Sequence, residues 1–285
     1  MLTTLTRREA LKFASILVPG KAARLFEPLG ESESASGATE GMPVSVQFPA
    51  HPAELVREMV TVAHFDLKRV KELCEARPAL ARAGWDWGFG DWETPLGAAS
   101  HMGNRAIAEY LISRGARPSL FSAAMLGQLE VVRAFVAVQA GVQKIRGPHS
   151  ISLLAHARMG GEAARPVMEF LQSLDGADSE ASVALVDAEA TTLVGTYVFG
   201  MGVAQQIEVS LADKKMYPSN KMYTYAPLLH WTRTGTMPRP LFHLGGKTFY
   251  AAGAAAVRIH FAEEAEGILM TVNDGEFAMT ARKKK

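Results

Sequence analysis

Cysteine is nearly missing from this chain: Cys74 is the single thiol in 285 residues, which excludes an internal disulfide framework in any compartment. It follows Leu73 on an apolar helical face, where a buried and unreactive thiol is expected. Net charge is missing too. Thirty basic against 29 acidic residues leave +1, so no global field exists to draw the chain to nucleic acid or an anionic membrane. The basic run from Arg282 to Lys285 is short and terminal, and reads as a solvated tail. No apolar run approaches the about 20 residues of a membrane-spanning helix, so stable membrane insertion is not expected.

Catalytic signatures are equally scarce. Acyl transfer needs a nucleophile exposed on a Gly-x-Ser-x-Gly turn or backed by the lysine of Ser-x-x-Lys, and neither stands in a supporting context. Gly88-Phe89-Gly90 and Gly200-Met201-Gly202 lack the third glycine and following helix that cradle phosphate, so both are turns. His149 and His156 stand seven apart, and there is no His-Glu-x-x-His or Cys/His cluster. Each histidine, His101 included, is expected to be a hydrogen-bonded structural residue. Glu263, Glu264 and Glu266 beside Gly267 suit a solvated loop better than a pair of catalytic carboxylates. The expectation is no catalytic residue, no metal and no cofactor, hence not an enzyme.

What the chain does have is apolar content, 48% of its residues, enough for two buried cores. The stretch Asp91 to Pro118 carries the most organised local signal. Thr94 is placed to cap a helix that opens on Pro95, whose missing N–H costs nothing at that position. Gly103 ends that helix. The small Ala98 and Ala99 allow close approach by a second helix bearing Ile107, Tyr110 and Leu111 at helical spacing, and Gly115 stops it. Positions equivalent to Gly103 are Phe65, Gly127 and Gly160, at spacings of 38, 24 and 33. Leu96, Leu120 and Leu153 each lie seven before their glycine, and Leu73, Leu111 and Phe135 each lie eight after the preceding marker.

This pattern resembles the ankyrin repeat, whose period is about 33 residues. The resemblance runs from Glu54 to Asp178 and departs from the family at Gly97, where the motif usually has histidine. It implies an α-solenoid of about four units over residues 51–178, the first a cap, with fingers and inner helices forming a concave binding face. The finger from Gly84 to Trp92 holds three of the four tryptophans, more aromatic area than its turn needs. Trp92, beside Thr94-Pro95, is expected to be buried over the end of the helix pair. Trp85, Trp87, Phe89 and His101 are the expected partner-binding residues.

The flanks carry different signals. Thr6-Arg7-Arg8-Glu9-Ala10-Leu11-Lys12 resembles a twin-arginine export signal, with Ala10 standing in for phenylalanine. That implies a leader over residues 1–38, a linker over 39–50, and a periplasmic or exported protein; the alternative is an ordinary amphipathic helix on a cytoplasmic one. Residues 179–192 are small and acidic and are expected to link two domains. Beyond them the apolar period becomes two, as in Ile207 to Leu211 and Val257 to Phe261. Gly245-Gly246 and Asp274-Gly275 are hairpin signals. Six or seven short strands in residues 193–282 predict a small antiparallel β-barrel or sandwich. Leu193 to Tyr197, Pro227-Leu228, Phe249, Val257 to Phe261 and Leu269 to Ala281 are similar to the small β domain appended to penicillin-binding-protein-like and class C β-lactamase-like serine hydrolases. Since the catalytic groups of those proteins lie in another domain, the resemblance implies an accessory module.

The expected fold class is thus a multidomain α plus β protein, an ankyrin solenoid followed by a β domain. The expected function is non-enzymatic binding of a protein partner, with no role in nucleic-acid binding. The alternative is a small-molecule binder or enzyme accessory subunit whose ligand site uses Tyr223, Tyr225, His230 and Trp231, from a stretch that also holds Met216, Tyr217 and Met222.

Overall fold

The computed structural model describes residues 48–177, 182–212, 229–234 and 236–285. Arg7-Arg8, Asp178, Tyr223 and Tyr225 lie outside the described residues. The helices run in hairpins: α1 (Ala53–Val62) with α2 (Leu67–Ala76), α3 (Pro95–His101) with α4 (Arg105–Ser113), α5 (Leu120–Met125) with α6 (Leu129–Val138), and α7 (Leu153–Met159) with α8 (Arg165–Gln172). The first helix of each hairpin packs on the first helix of the next, so α1, α3, α5 and α7 form a row.

Local chemistry explains each start and stop. The Thr94 side chain accepts from the Gly97 amide at 3.0 Å with Pro95 opening the helix, and Asp66, Ser119 and Ser152 cap α2, α5 and α7 in the same way. Pro166 sits in the first turn of α8, where it is tolerated. Gly103 closes α3 with φ +73°, and a Cβ there would overlap the Met159 carbonyl; that close approach demands glycine. Met59, Val70, Leu73, Cys74, Ala98, Ala99, Ile107 and Leu111 form the first core, and Ala123, Ala124, Val132, Leu153, Leu154, Val167 and Leu171 the second.

A two-residue hairpin, β1 (Trp85–Asp86) and β2 (Trp92–Glu93), stands before α3. After α8 the chain reaches α9 (Asp187–Leu193), a helix within the stretch expected to be only a linker. Its Ala190 and Leu193 are buried in the core that follows, so this stretch belongs to the β part. The strands are β3 (Gly195–Val198), β4 (Gln206–Leu211), β5 (Leu229–Arg233), β6 (Arg239–Gly245), β7 (Thr248–Ala251), β8 (Ala254–Glu264), β9 (Gly267–Asp274) and β10 (Phe277–Lys283).

All neighbours are antiparallel, and β10 returns to pair with β3 through Arg282↔Val198, closing an eight-stranded barrel. Closure, in preference to a sandwich, removes both sheet edges. Asp274-Gly275 and Gly245-Gly246 turn the two expected hairpins. Along β8, Val257, Ile259 and Phe261 point inward and Arg258 and His260 outward, as the alternation predicts. Tyr197, Phe249 and Phe261 fill the interior, as a barrel of this size requires.

The helical and β parts share a further apolar cluster: Ile151 and Ala155 at the start of α7 meet Phe242, Tyr250 and Ala252 of the barrel. No helix among the described residues is long and apolar enough to cross a membrane.

Candidate functional site

The finger turns inward toward the barrel. Trp87 N–H donates to the Asp91 carbonyl at 3.0 Å, and the Asp86 side chain accepts from Gly88 N at 2.7 Å, which sets the hairpin turn. Arg239 on β6 reaches over and donates to the carbonyls of Trp87 at 2.7 Å and Gly88 at 3.2 Å. Phe89 stacks on Trp231 of β5 with ring centroids 6.1 Å apart. Trp85 and Trp87 are half-buried against the first core, and Phe89 is 38% exposed.

Trp92 corrects the sequence expectation. It is 63% exposed, while its neighbours Asp91 and Glu93 are 3% and 1% exposed. In an extended segment successive side chains face opposite sides, so burying the two carboxylates forces the indole outward. His101 is 3% exposed, so it has no surface to offer a partner, and His230 is buried to the same degree.

Glu93 is the centre of what the fold brings together. Its Oε1 lies 2.8 Å from His101 Nε2, and its Oε2 lies 2.8 Å from Trp87 Nε1, 3.3 Å from His149 Nε2 and 3.6 Å from His64 Nε2. His64, in the turn between α1 and α2, is held by Asn104, whose amide donates to the His64 carbonyl at 2.8 Å. Its Nδ1 faces the carbonyls of Val60 and Thr61, both at 3.0 Å. Asp91 accepts from His149 twice, from the backbone N–H at 2.9 Å and from ring Nδ1 at 2.8 Å, with Arg239 Nη2 at 3.6 Å.

His149 and Ser150 sit in the left-handed region at φ 57° and 61°, which costs on the order of 1–3 kcal/mol each for residues other than glycine. The contacts that hold them there include those to Asp91 and the bond from Gly253 N to Ser150 Oγ at 2.7 Å. One ligand atom from each of His64, Glu93, His101 and His149 lies within 4.8 Å of the others. These four residues could hold a metal ion.

The electrostatics follow from burial in close company. Burial alone would raise the Glu93 carboxyl, but hydrogen bonds from His101 and His149 outweigh it and hold the group well below the ordinary carboxylate range. Burial would likewise lower His149, yet the Asp91 and Glu93 carboxylates push it up to about 9. Burial wins at His101, which is lowered despite its bond to Glu93. His156, fully buried behind His101 with Nδ1 bonded to the Ser152 carbonyl at 2.8 Å, is pushed down to about 3 by burial. Among the described residues, His101 Nδ1 and His156 Nε2 have no hydrogen-bond partner.

Spacing along the chain could not have revealed this cluster, since its members come from two connecting segments, a strand and a helix end. One local signal existed: Asp91-Trp92-Glu93 alternates acid, aromatic, acid immediately before a capped helix, which places both carboxylates on one side. No family model matches the chain, and no curated protein is similar to it in sequence.

Proposed function

We propose that this chain is a non-enzymatic protein-binding module built on an ankyrin-type helix stack, and that its partner docks on the outer face of α6. The observation that carries the docking is the exposure of that helix. Leu-Glu-Val-Val-Arg-Ala-Phe-Val-Ala-Val is apolar on nearly every side, yet only Val132 is buried, while Val131, Phe135 and Val138 are 41%, 42% and 84% exposed. A surface helix normally turns such residues inward, and a contiguous exposed apolar face marks an interaction site.

The ankyrin reading is supported by the Thr94 cap, the Pro95 start and the left-handed Gly103 and Gly115 that frame α3 and α4. The finger and the start of α7, which an ankyrin stack would offer to a partner, contact this chain's own barrel. That is why the proposed partner face lies on α6 and not on Trp85, Trp87 or Phe89. The small-molecule alternative has less support, because the barrel interior is filled by Tyr197, Phe249 and Phe261.

The test is site-specific photocrosslinking from position 138 in the native cell, with and without Val131→Asp on the same face. A discrete adduct to another protein, lost in the Val131→Asp background while the thermal midpoint is kept, is the expected result. An absence of adducts, or adducts only between copies of the chain, would refute the reading.

A further inference from the structure

We infer that His64, Glu93, His101 and His149 bind one divalent first-row transition metal ion, zinc by donor set and coordination number, as a structural clamp on the helical part. Tetrahedral zinc with bonds of about 2.0–2.1 Å places neighbouring ligand atoms about 3.3 Å apart. Here Glu93 Oε1 lies 2.8 Å from His101 Nε2 and its Oε2 lies 3.3 Å from His149 Nε2 and 3.6 Å from His64 Nε2, and one ligand atom from each of the four residues lies within 4.8 Å of the others. Small side-chain rotations bring this set into a first coordination shell.

The outer contacts point the ring nitrogens the right way. Carbonyl and carboxylate oxygens can only accept, so the proton of neutral His64 sits on Nδ1 facing Val60 and Thr61, and that of neutral His149 on Nδ1 facing Asp91. Both rings then have Nε2 turned toward the Glu93 carboxylate. A metal ion at that point would displace any proton shared between the His149 ring and Glu93 and take the Nε2 lone pairs, because an imidazole ligates only through a deprotonated nitrogen. Carboxylate–histidine–metal and carbonyl–histidine–metal relays have this form, and the Trp87 indole N–H steadies the carboxylate in turn. His101 lacks such an outer partner among the described residues.

The donor chemistry narrows the ion. Three imidazoles and one carboxylate suit zinc and its transition-metal neighbours, while calcium and magnesium require oxygen ligands. Four protein ligands close the shell, the mark of a structural site and not a catalytic one. Entry is from the rim, where the His64 and His149 side chains are 20% and 26% exposed; Glu93 and His101 lie beneath at 0% and 4%. A bound ion would tie the α1–α2 turn, β2, the end of α3 and the loop before α7 to one point.

The experiment uses the full chain, tag-free, stripped with a chelator and returned to metal-free buffer. It is titrated with Zn²⁺ and in parallel with Co²⁺, whose tetrahedral complexes show intense visible bands. One ion per chain after gel filtration, tetrahedral cobalt bands and a raised thermal midpoint are expected. Glu93→Gln removes a buried charge and can unfold the chain, so the deciding variant is His64→Gln at the exposed rim, with circular dichroism checking its fold. It should weaken zinc by on the order of 10-fold or more, since even outer-shell changes weaken such sites 10–100-fold. His260→Gln, an exposed histidine on β8, should leave affinity unchanged. Failure of the wild-type chain to retain an ion, or retention with equal affinity by His64→Gln, would overturn the proposal.

Discussion

Gly253→Ala probes the junction where the helical part meets the barrel. Gly253 lies between β7 and β8 with φ +77°, and a Cβ there would overlap the Asp91 carboxylate. Alanine in that left-handed conformation costs about 1–2 kcal/mol wherever it occurs. Gly246, in the β6–β7 hairpin at φ +54°, supplies the control, because a Cβ there meets nothing within 4 Å. The steric term is therefore the difference between the two variants. Asp91 cannot swing aside freely: it accepts from His149 at 2.9 and 2.8 Å, and hydrogen bonds to a charged group contribute about 1.5–3 kcal/mol each. If Gly253 withdraws in its place, it gives up its bond to Ser150 Oγ at 2.7 Å and loosens the strained His149–Ser150 turn. Gly253→Ala should thus cost about 4–8 kcal/mol against about 1–2 kcal/mol for Gly246→Ala.

Urea unfolding of the whole chain measures this, followed by tryptophan fluorescence and circular dichroism together. The fluorescence is well placed: Trp85, Trp87 and Trp92 are in the finger, and Trp231, the fourth, stacks on Phe89. The Gly253→Ala fluorescence transition should move to lower urea by far more than that of Gly246→Ala. Costs for the two variants within about 1 kcal/mol of each other would mean that Asp91 does not pack against Gly253, and the described junction would be wrong.

Two further outcomes follow from burial. Trp87→Ala should destabilise by about 3 kcal/mol, because the indole packs on the first core and donates to Glu93, whereas Trp92→Ala should cost under about 1 kcal/mol; thermal midpoints giving the reverse order would reject the strand's facing. His156, neutral in the fold down to about pH 3, takes up a proton when unfolded below about pH 6.5, so its contribution is complete above that pH and fades as pH falls, by about 2 kcal/mol at pH 5. His156→Gln should therefore lose less stability than wild type between pH 7.5 and pH 5, and an unchanged acid slope would show that the ring is not held neutral.

Much of the local structure is legible from the residues themselves. Thr94 and Pro95 begin a helix because a cap and a fixed φ act over a single turn, and Asp274-Gly275 closes a hairpin for an equally local reason. The change from helical to alternating apolar period separates the helical part from the strands because it records which face of each element is buried. Contacts between distant segments leave no such trace. Whether the strands close into a barrel depends on β10 meeting β3, and the helix α9 appears inside a stretch whose small, acidic composition suggested only a linker. Trp92 looked like a core residue by hydrophobicity, but the burial of Asp91 and Glu93 on either side turned it to solvent. His64, Glu93, His101 and His149 each look like an isolated polar residue along the chain, and only the packing of two connecting segments, a strand and a helix end places them within 4.8 Å. The cost of burying a polar group depends on the partners it meets, and those partners are set by tertiary structure.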